Sequence, residues 1–420
     1  MKFAIIGFGC AGYHALRAIR EMGSEAAVDV YMDRDLPPYN PMLTTYYVSG
    51  KLSYEEMFPF GTLEEIGAKY HANFLTGQSV AVVDAETKVV ITEAGVWTQY
   101  DRILISTGAT AFVPPSFHHL NNAYYCMRTT EDAVRMRQDL DAREYRSAVV
   151  VGASMVGIKV AELLNKRGIQ VTLADMSDRI FPLASYEDVA AIIEKKVQSQ
   201  GIDLKLGNAI TGAEKQEETF MVRLGNGEIL QTDLLVLNIG TRAACQIVDR
   251  NQIRIGRGIV VNERMETNMP GVFAAGDCCE GMNLQSGENQ IIGLWANAGV
   301  QGYIAGANMA GKDVRTEGNI LHNITHFLDM DFIGVGDNRI TGERLIDSNP
   351  ERDFYIEAIL RDGKPVGFNI LNNYAISGIL KAYFMKLLRG EKHSLTPVQW
   401  GMLKRHGVSE GFIKQLEERK

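Results

Sequence analysis

The stretch Lys2-Phe3-Ala4-Ile5-Ile6-Gly7-Phe8-Gly9-Cys10-Ala11-Gly12 decides how the chain is read. Lys2 to Ile6 is a short apolar run of buried-strand type, and Tyr13 to Arg20 is helix-forming. Between them stands G-x-G-x-x-G, in the strand-to-helix context that a dinucleotide fingerprint requires. Gly7 allows the tight turn, Gly9 lets the backbone approach a pyrophosphate, and Gly12 lets helix and strand pack closely. The helix start then offers unpaired N–H groups and the positive end of a dipole to phosphates. A purely structural glycine turn carries the same letters, so the remainder of the chain has to decide.

Working outward, Val28 to Asp33 alternates β-branched and aromatic residues and reads as the second strand. Asp33 lies 21 residues after Gly12, close to the position of the acid that accepts a ribose 2′-OH. The plain alternative is a solvated acid at a strand end, and Arg34 could face adenine or a phosphate. A proline-rich loop follows at Leu36 to Pro41, then a polar helical stretch at Tyr54 to Tyr70 and a hairpin of Val80–Val83 with Val89–Thr92. Asp101 to Ala109 reads as a buried strand ending in a small-residue turn at Thr107-Gly108. In an open α/β sheet, such a turn faces the ligand.

The order strand, glycine turn, helix, strand, acid then repeats. Ala148 to Val151 is a buried strand, Gly152-Ala153-Ser154-Met155-Val156-Gly157 the turn, and a helix runs to Arg167. The strand Gln170 to Ala174 ends on Asp175. Ser154 replaces the middle glycine, small enough for fairly close approach. The repeat predicts two nucleotide sites. Asp175 favours a free 2′-OH, hence NADH over NADPH, because a 2′-phosphate would set like charges together. Arg179, four residues on, could accept a phosphate. Asp233 to Gly240 is a further strand-to-glycine turn, matching Asp101 to Gly108.

Bulk properties narrow the class. At 420 residues the chain exceeds one ordinary core, so two or three domains are expected. A net charge of −8 argues against nucleic acid as the main ligand and leaves no polybasic membrane patch. The apolar segment Ile370 to Leu388 is interrupted by Asn372, Asn373, Lys381 and Lys386, so it reads as a packed helix and no membrane span is expected. The chain starts inside a strand, so no signal peptide is expected. Five cysteines without a C-x-x-C predict neither a disulfide framework nor zinc or any other metal, and a reduced, cytoplasmic protein.

The stretch Thr267 to Asp277, ending Phe273-Ala274-Ala275-Gly276-Asp277, is the most specific in the chain. Together with the two glycine motifs, it resembles the FAD-dependent pyridine nucleotide-disulfide oxidoreductase superfamily, most nearly the ferredoxin/rubredoxin reductase, nitrite reductase and NADH oxidase-like group. The resemblance spans roughly residues 1 to 395 and implies an α/β fold: two Rossmann-like nucleotide-binding domains, for FAD and NAD, plus a C-terminal α+β interface domain. The expected boundaries are 1–112 with 241–318 for FAD, 113–240 for NAD(P)H, 319–396 for the interface domain and 397–420 for a helical tail. It implies FAD beside Gly7, Gly9, Cys10, Ala11, Gly12, Asp33, Arg34, Val80, Thr107, Gly108, Arg128, Gly276, Asp277 and Trp295. It implies the nicotinamide nucleotide beside Gly152, Ser154, Met155, Val156, Gly157, Asp175 and Gly240. Trp295 and Lys159 are the candidates near the reacting rings, and no catalytic side chain is assigned, because hydride transfer needs alignment more than an acid or base.

Departures from the family shape the function. Where some members carry a redox cysteine, this chain has Met42, and a thioether cannot play that part. Where many place a glutamate near the nicotinamide, it has Lys159, with Glu162 a possible substitute. Cys10, Cys278 and Cys279 could lie near FAD, although small-residue packing is the favoured reading. His14, His118 and His119 lack partners at metal spacing. Beyond Asn319 an antiparallel sheet is expected from Ile320–Phe332, Asp353–Leu360 and Val366–Ile370, with a hairpin at Asp362-Gly363 and helices at Tyr374–Leu388 and Val398–Arg419. The leading function is an FAD-dependent NADH oxidoreductase feeding a protein acceptor or partner subunit, as a homodimer. An NADH oxidase using oxygen or a small acceptor, and a flavin-binding assembly or sensor subunit, are the alternatives.

Overall fold

A computed structural model describes residues 1–391 and 394–418. The described chain divides into two compact units, Met1–Thr110 with Thr241–Asn319, and Ala111–Gly240 with Ile320–Lys420.

The first unit is built on a five-stranded sheet in the order Val272–Ala274, Arg102–Ile105, Lys2–Ile6, Ala27–Tyr31, Asn73–Leu75, every pair parallel. Its strands are apolar on both faces, as a parallel sheet covered on both sides requires. Phe3, Ala4, Ile5, Ile103, Leu104 and Ile105 are all fully buried. The helix Cys10–Glu21 starts three residues before the expected Tyr13, so the last half of the glycine motif is already helical. The expected helix Tyr54–Tyr70 is broken. A short 3₁₀ turn, Glu55–Met57, is followed by a helix only from Leu63 to Tyr70. Pro59 and Gly61 interrupt the first part, and Thr62 restarts the helix with a reciprocal capping box to Glu65.

A second helix, Trp295–Met309, packs along Cys10–Glu21 at very short range. Gly302 and Gly306, one turn apart, meet the backbone at Ala11 and Ala15: a Cβ on either would stand 2.1 Å from Ala11 O or 2.2 Å from Ala15 O. The small residues of this helix therefore serve close helix contact.

In the second unit, a four-stranded parallel sheet runs Asp203–Lys205, Gln170–Ala174, Ser147–Val151, Leu234–Leu237. A five-stranded antiparallel sheet, in the order His322–Phe327, Met330–Gly336, Lys364–Leu371, Phe354–Arg361, Glu343–Asn349, belongs to the same unit. Asp362 and Gly363 turn with φ of 51° and 73°, the left-handed pair of a tight hairpin. The edge strand Glu343–Asn349 has no counterpart in the sequence reading, because its polar letters carry little β-propensity. Asn369, fully buried, accepts from Tyr186 N at 2.7 Å and donates to Ala184 O at 2.9 Å, tying the antiparallel sheet to the segment after Asp175.

The expected helix Val398–Arg419 is two helices, Pro397–Arg405 and Glu410–Glu418, separated by Gly407 at φ +94°. Arg419 lies outside the described residues. The second helix buries Phe412, Ile413 and Leu416. No helix among the described residues is long and apolar enough to cross a membrane.

Candidate functional site

At the first glycine motif, two glycines are demanded by the protein itself and one is not. A Cβ on Gly7 would lie 2.6 Å from Ser106 O, and φ there is +88°. A Cβ on Gly12 would lie 2.5 Å from Gly7 O. At Gly9 a Cβ would meet nothing within 4 Å, and the backbone, at φ −88° and ψ −157°, is open to any residue. The bare surface at Gly9 is therefore not needed by the fold, and it suits a ligand's close approach. Gly9 is also the N-cap of Cys10–Glu21, with no side-chain cap and no acid in the first turn. The helix start keeps its N–H groups and dipole for an anion. These features fit the pyrophosphate of FAD.

Ser106 holds this turn: its hydroxyl donates to Gly7 O at 2.7 Å. It went unmarked in the sequence, since one serine has neither spacing nor period. The Gly276-Asp277 turn reaches the same place. A Cβ on Gly276, φ +85°, would lie 3.2 Å from the Ala11 Cβ, and Gly276 N donates to Gln301 Oε1 at 2.9 Å. The Thr107 hydroxyl donates to Ala244 O, Gly108 turns at φ +72°, and Val80 packs against the core. Asp33 stands exposed two residues past its strand, 3.2 Å from Arg34 Nε.

Trp295 opens the second helix, its carbonyl accepting from Cys10 Sγ at 3.4 Å. Its indole stacks on Phe60 at 5.8 Å, and Phe60 stacks on Tyr13 at 3.9 Å. Phe60 comes from the broken loop, where no periodicity marks it. A cavity of about 300 Å³ opens here, lined by Cys10, His14, Trp295, Gly299, Val300 and Tyr303 among others. No thiol at this end of the unit is poised for attack. Burial, then the Asp277 charge, pushes Cys10 up to about 12. Burial pushes Cys278 up to about 11 and Cys279 well above the usual thiol range. Cys278 donates to Ala275 O at 3.3 Å and Cys279 to Gly276 O at 3.3 Å, so both act as packed turn residues. Burial holds the His14 imidazole below its ordinary value, hence neutral near pH 7. Among the described residues no cluster of acids, histidines or cysteines could hold a metal.

In the second unit the other motif differs in its middle residue. A Cβ on Gly152 would stand 2.3 Å from Asn238 O, and one on Gly157 1.8 Å from Gly152 O. Ser154 caps the helix Met155–Lys166: its hydroxyl accepts from Gly157 N at 3.2 Å and donates to Asn238 O at 3.2 Å. The side chain is thus folded back onto its own turn. Asp175 is fixed by two backbone donors, Ala153 N on Oδ2 at 2.7 Å and Ser177 N on Oδ1 at 2.8 Å. Its remaining lone pairs are left for a ribose diol. Arg179 Nε and Asn238 Nδ2 are buried without a hydrogen-bond partner among the described residues. Met155 and Val156 form the first helical turn, and Gly240 turns at φ +99°.

Lys159 lies on the second turn of that helix, half-buried. Glu162 is taken by Lys166 at 2.6 Å and does not stand in for the missing glutamate. Arg128 also belongs to this unit, where its N–H donates to Asp132 at 3.1 Å. His118 and His119 each bond a backbone carbonyl, Val113 O at 3.2 Å and Ala213 O at 3.0 Å.

Comparison with known proteins agrees with this arrangement. The family model described as pyridine nucleotide-disulphide oxidoreductase matches residues 1–302. An NADH oxidase of Methanocaldococcus jannaschii is 26% identical over 80% of this chain and 76% of its own length. The epsilon subunit of NADH-dependent phenylglyoxylate dehydrogenase of Aromatoleum evansii is 27% identical over 95% of this chain and 93% of its own. In fold, a water-forming NADH oxidase from Lactobacillus brevis superposes with a TM-score of 0.86 at 22% identity, covering 93% of this chain and 91% of that one.

Proposed function

We propose that this chain, which belongs to the pyridine nucleotide-disulphide oxidoreductase family, oxidises NADH through FAD and delivers the electrons to a protein acceptor or partner subunit. The coarser statement, an enzyme of the NAD(P)H-dependent flavin oxidoreductase class, follows from the family and its relatives.

FAD, when bound, accepts the hydride of the nicotinamide and releases electrons onward. The chain's own residues do the rest. Gly9 leaves room for the pyrophosphate and the uncapped helix start at Cys10 neutralises part of its charge. Asp33 takes a ribose hydroxyl, and Asp277 lies at the close of the cradle. The stacked Trp295 and Phe60 shield the reacting edge from water. Gly152, Ser154 and Gly157 seat the pyrophosphate of NADH, and Asp175 holds the adenosine ribose in preference to a 2′-phosphate.

The observation that carries the choice of acceptor is the state of the sulfur groups. With Met42 in the place of a redox cysteine, and Cys10, Cys278 and Cys279 buried and protonated, the first unit offers no thiol relay to a disulfide, persulfide or peroxide. Electrons then leave from FAD directly. The likeness to a dehydrogenase subunit over almost the entire chain supports a protein acceptor. A homodimer built on the antiparallel sheet belongs to the same reading, and light scattering of the holoprotein tests it.

Anaerobic mixing of the FAD-loaded protein with NADH and with NADPH tests the reading. Fast bleaching of the flavin band by NADH and slow bleaching by NADPH are expected. No bleaching with either nucleotide would remove the enzymatic reading altogether.

A further inference from the structure

In the first unit, residues 249–260 form an arm whose backbone is clamped by side chains from elsewhere. Asn268 grips it twice, accepting from Arg254 N at 2.7 Å and donating to Gln252 O at 2.7 Å. The Gln252 side chain accepts from Ala85 N at 2.8 Å. Val260 N returns to Arg254 O at 3.0 Å and closes a hairpin. At its tip the buried carboxylate of Glu280 accepts from both Arg257 N and Gly258 N.

This stiff arm carries Arg250, Arg254 and Arg257, all exposed, and none of the three makes an ion pair among the described residues. Asp249, the nearest acid in sequence, accepts from Asn251 N at 2.8 Å. Three uncompensated guanidinium groups on one hairpin are a local reversal in a chain of net charge −8.

The arm is also braced against the region between Asp277 and Trp295. A Cβ on Gly258 would stand 2.8 Å from Cys278 O and 3.3 Å from Ile291 Cδ1, and Asn289 Nδ2 donates to Val261 O at 2.9 Å. A partner seated on the arm therefore sits against the segments that enclose the first cradle.

We infer that the arm bearing Arg250, Arg254 and Arg257 is the docking surface for a carboxylate-rich face of the electron-accepting protein. The redox meaning of this docking rests on the proposed function. Planar guanidinium forks match carboxylates in two-point hydrogen bonding, and a pre-clamped backbone loses little freedom on binding. Opposite charge on the partner steers the encounter and makes it sensitive to salt. The chain's overall negative charge disfavours a nucleic acid as the occupant.

The test is surface plasmon resonance of the full-length, FAD-loaded protein over an immobilised acidic plant-type [2Fe–2S] ferredoxin, at low and high ionic strength. Binding needs no turnover, so it reads the arm separately from the enzymatic reading. Wild-type protein is expected to bind at low salt and release at high salt. The R250E/R254E/R257E variant is expected to bind at least about tenfold more weakly and to lose the salt dependence, while the triple Arg→Lys variant keeps most of the affinity. Equal affinity of wild type and charge-reversed protein, no binding by wild type, or tighter binding of a short RNA through these arginines would each overturn the inference. NADH–ferricyanide turnover, measured alongside, is expected to be unchanged by the substitutions. Its absence in wild type would count against the proposed function and leave the binding result to stand alone.

Discussion

Gly302 rests on the carbonyl of Ala11 so closely that a single added carbon would stand 2.1 Å from that oxygen. The contact joins the helix that starts at the first glycine motif to the helix that starts at Trp295. Both helix starts are thereby set relative to one another by a hydrogen atom's width.

Gly302→Ala should force the two helices apart. A loss of about 1–3 kcal/mol or more is expected from overpacking of this kind, with weaker FAD retention. Urea unfolding and the flavin-to-protein absorbance ratio check both. An unchanged midpoint with full flavin content would show that the helices can separate without consequence.

Gly9 offers the opposite case. Because a Cβ there touches nothing in the protein, Gly9→Ala should fold with the stability of the wild-type apoprotein and yet bind FAD poorly. Gly7→Ala, held at positive φ against Ser106, should lose stability before any ligand is considered. Thermal melts of the apoproteins and flavin titrations separate the two. Normal FAD affinity in Gly9→Ala would mean that the pyrophosphate does not approach this residue.

Asp175 is expected to set the nucleotide preference. Its carboxylate is oriented by Ala153 N and Ser177 N, ready for a ribose diol. Asp175→Ser should weaken NADH by roughly tenfold or more, the effect of losing charge-assisted hydrogen bonds, and narrow the gap to NADPH. Arg179, whose Nε lacks a partner among the described residues, becomes the natural contact for a 2′-phosphate in that variant. Flavin reduction rates at graded NADH and NADPH concentrations report the outcome. An unaltered NADH dependence would place the ribose elsewhere.

His322 should make stability pH-dependent. Burial, then the charge of Lys381, pushes its imidazole down to about 4, and its Nε2 lies 3.0 Å from Ser377 Oγ. In the unfolded chain the ring takes its proton near its ordinary value of about 6.5. The native form is thus fully favoured above that value and loses stability as pH falls toward 4. His322→Gln should flatten the fall in melting temperature between pH 7 and pH 5. Equal slopes in the two proteins would assign the acid sensitivity to other groups.

Much of the architecture was legible because it rests on short-range rules. The apolar runs at Lys2–Ile6 and Ser147–Val151 could only be buried strands, and the glycine motifs after them marked the turns. The strand Gln170–Ala174 and its closing Asp175 were found by spacing alone. What escaped depends on partners far apart in sequence. Ser106 reaches Gly7 across 99 residues and Glu280 reaches Gly258 across 22, and neither residue belongs to a repeating pattern. Phe60 escaped because Pro59 and Gly61 break what reads as a continuous polar helix. The edge strand Glu343–Asn349 escaped because pairing with Phe354–Arg361, not its own residues, makes it a strand.

The most direct measurement of the central claim is NADH consumption by the FAD-loaded protein in air-saturated buffer, with and without ferricyanide as a surrogate one-electron acceptor. Delivery of electrons to a dedicated protein acceptor predicts slow consumption in air alone and a rise of at least about a hundredfold with ferricyanide, a difference of some 2.7 kcal/mol in barrier. Consumption in air as fast as with ferricyanide would contradict it and identify oxygen as the acceptor.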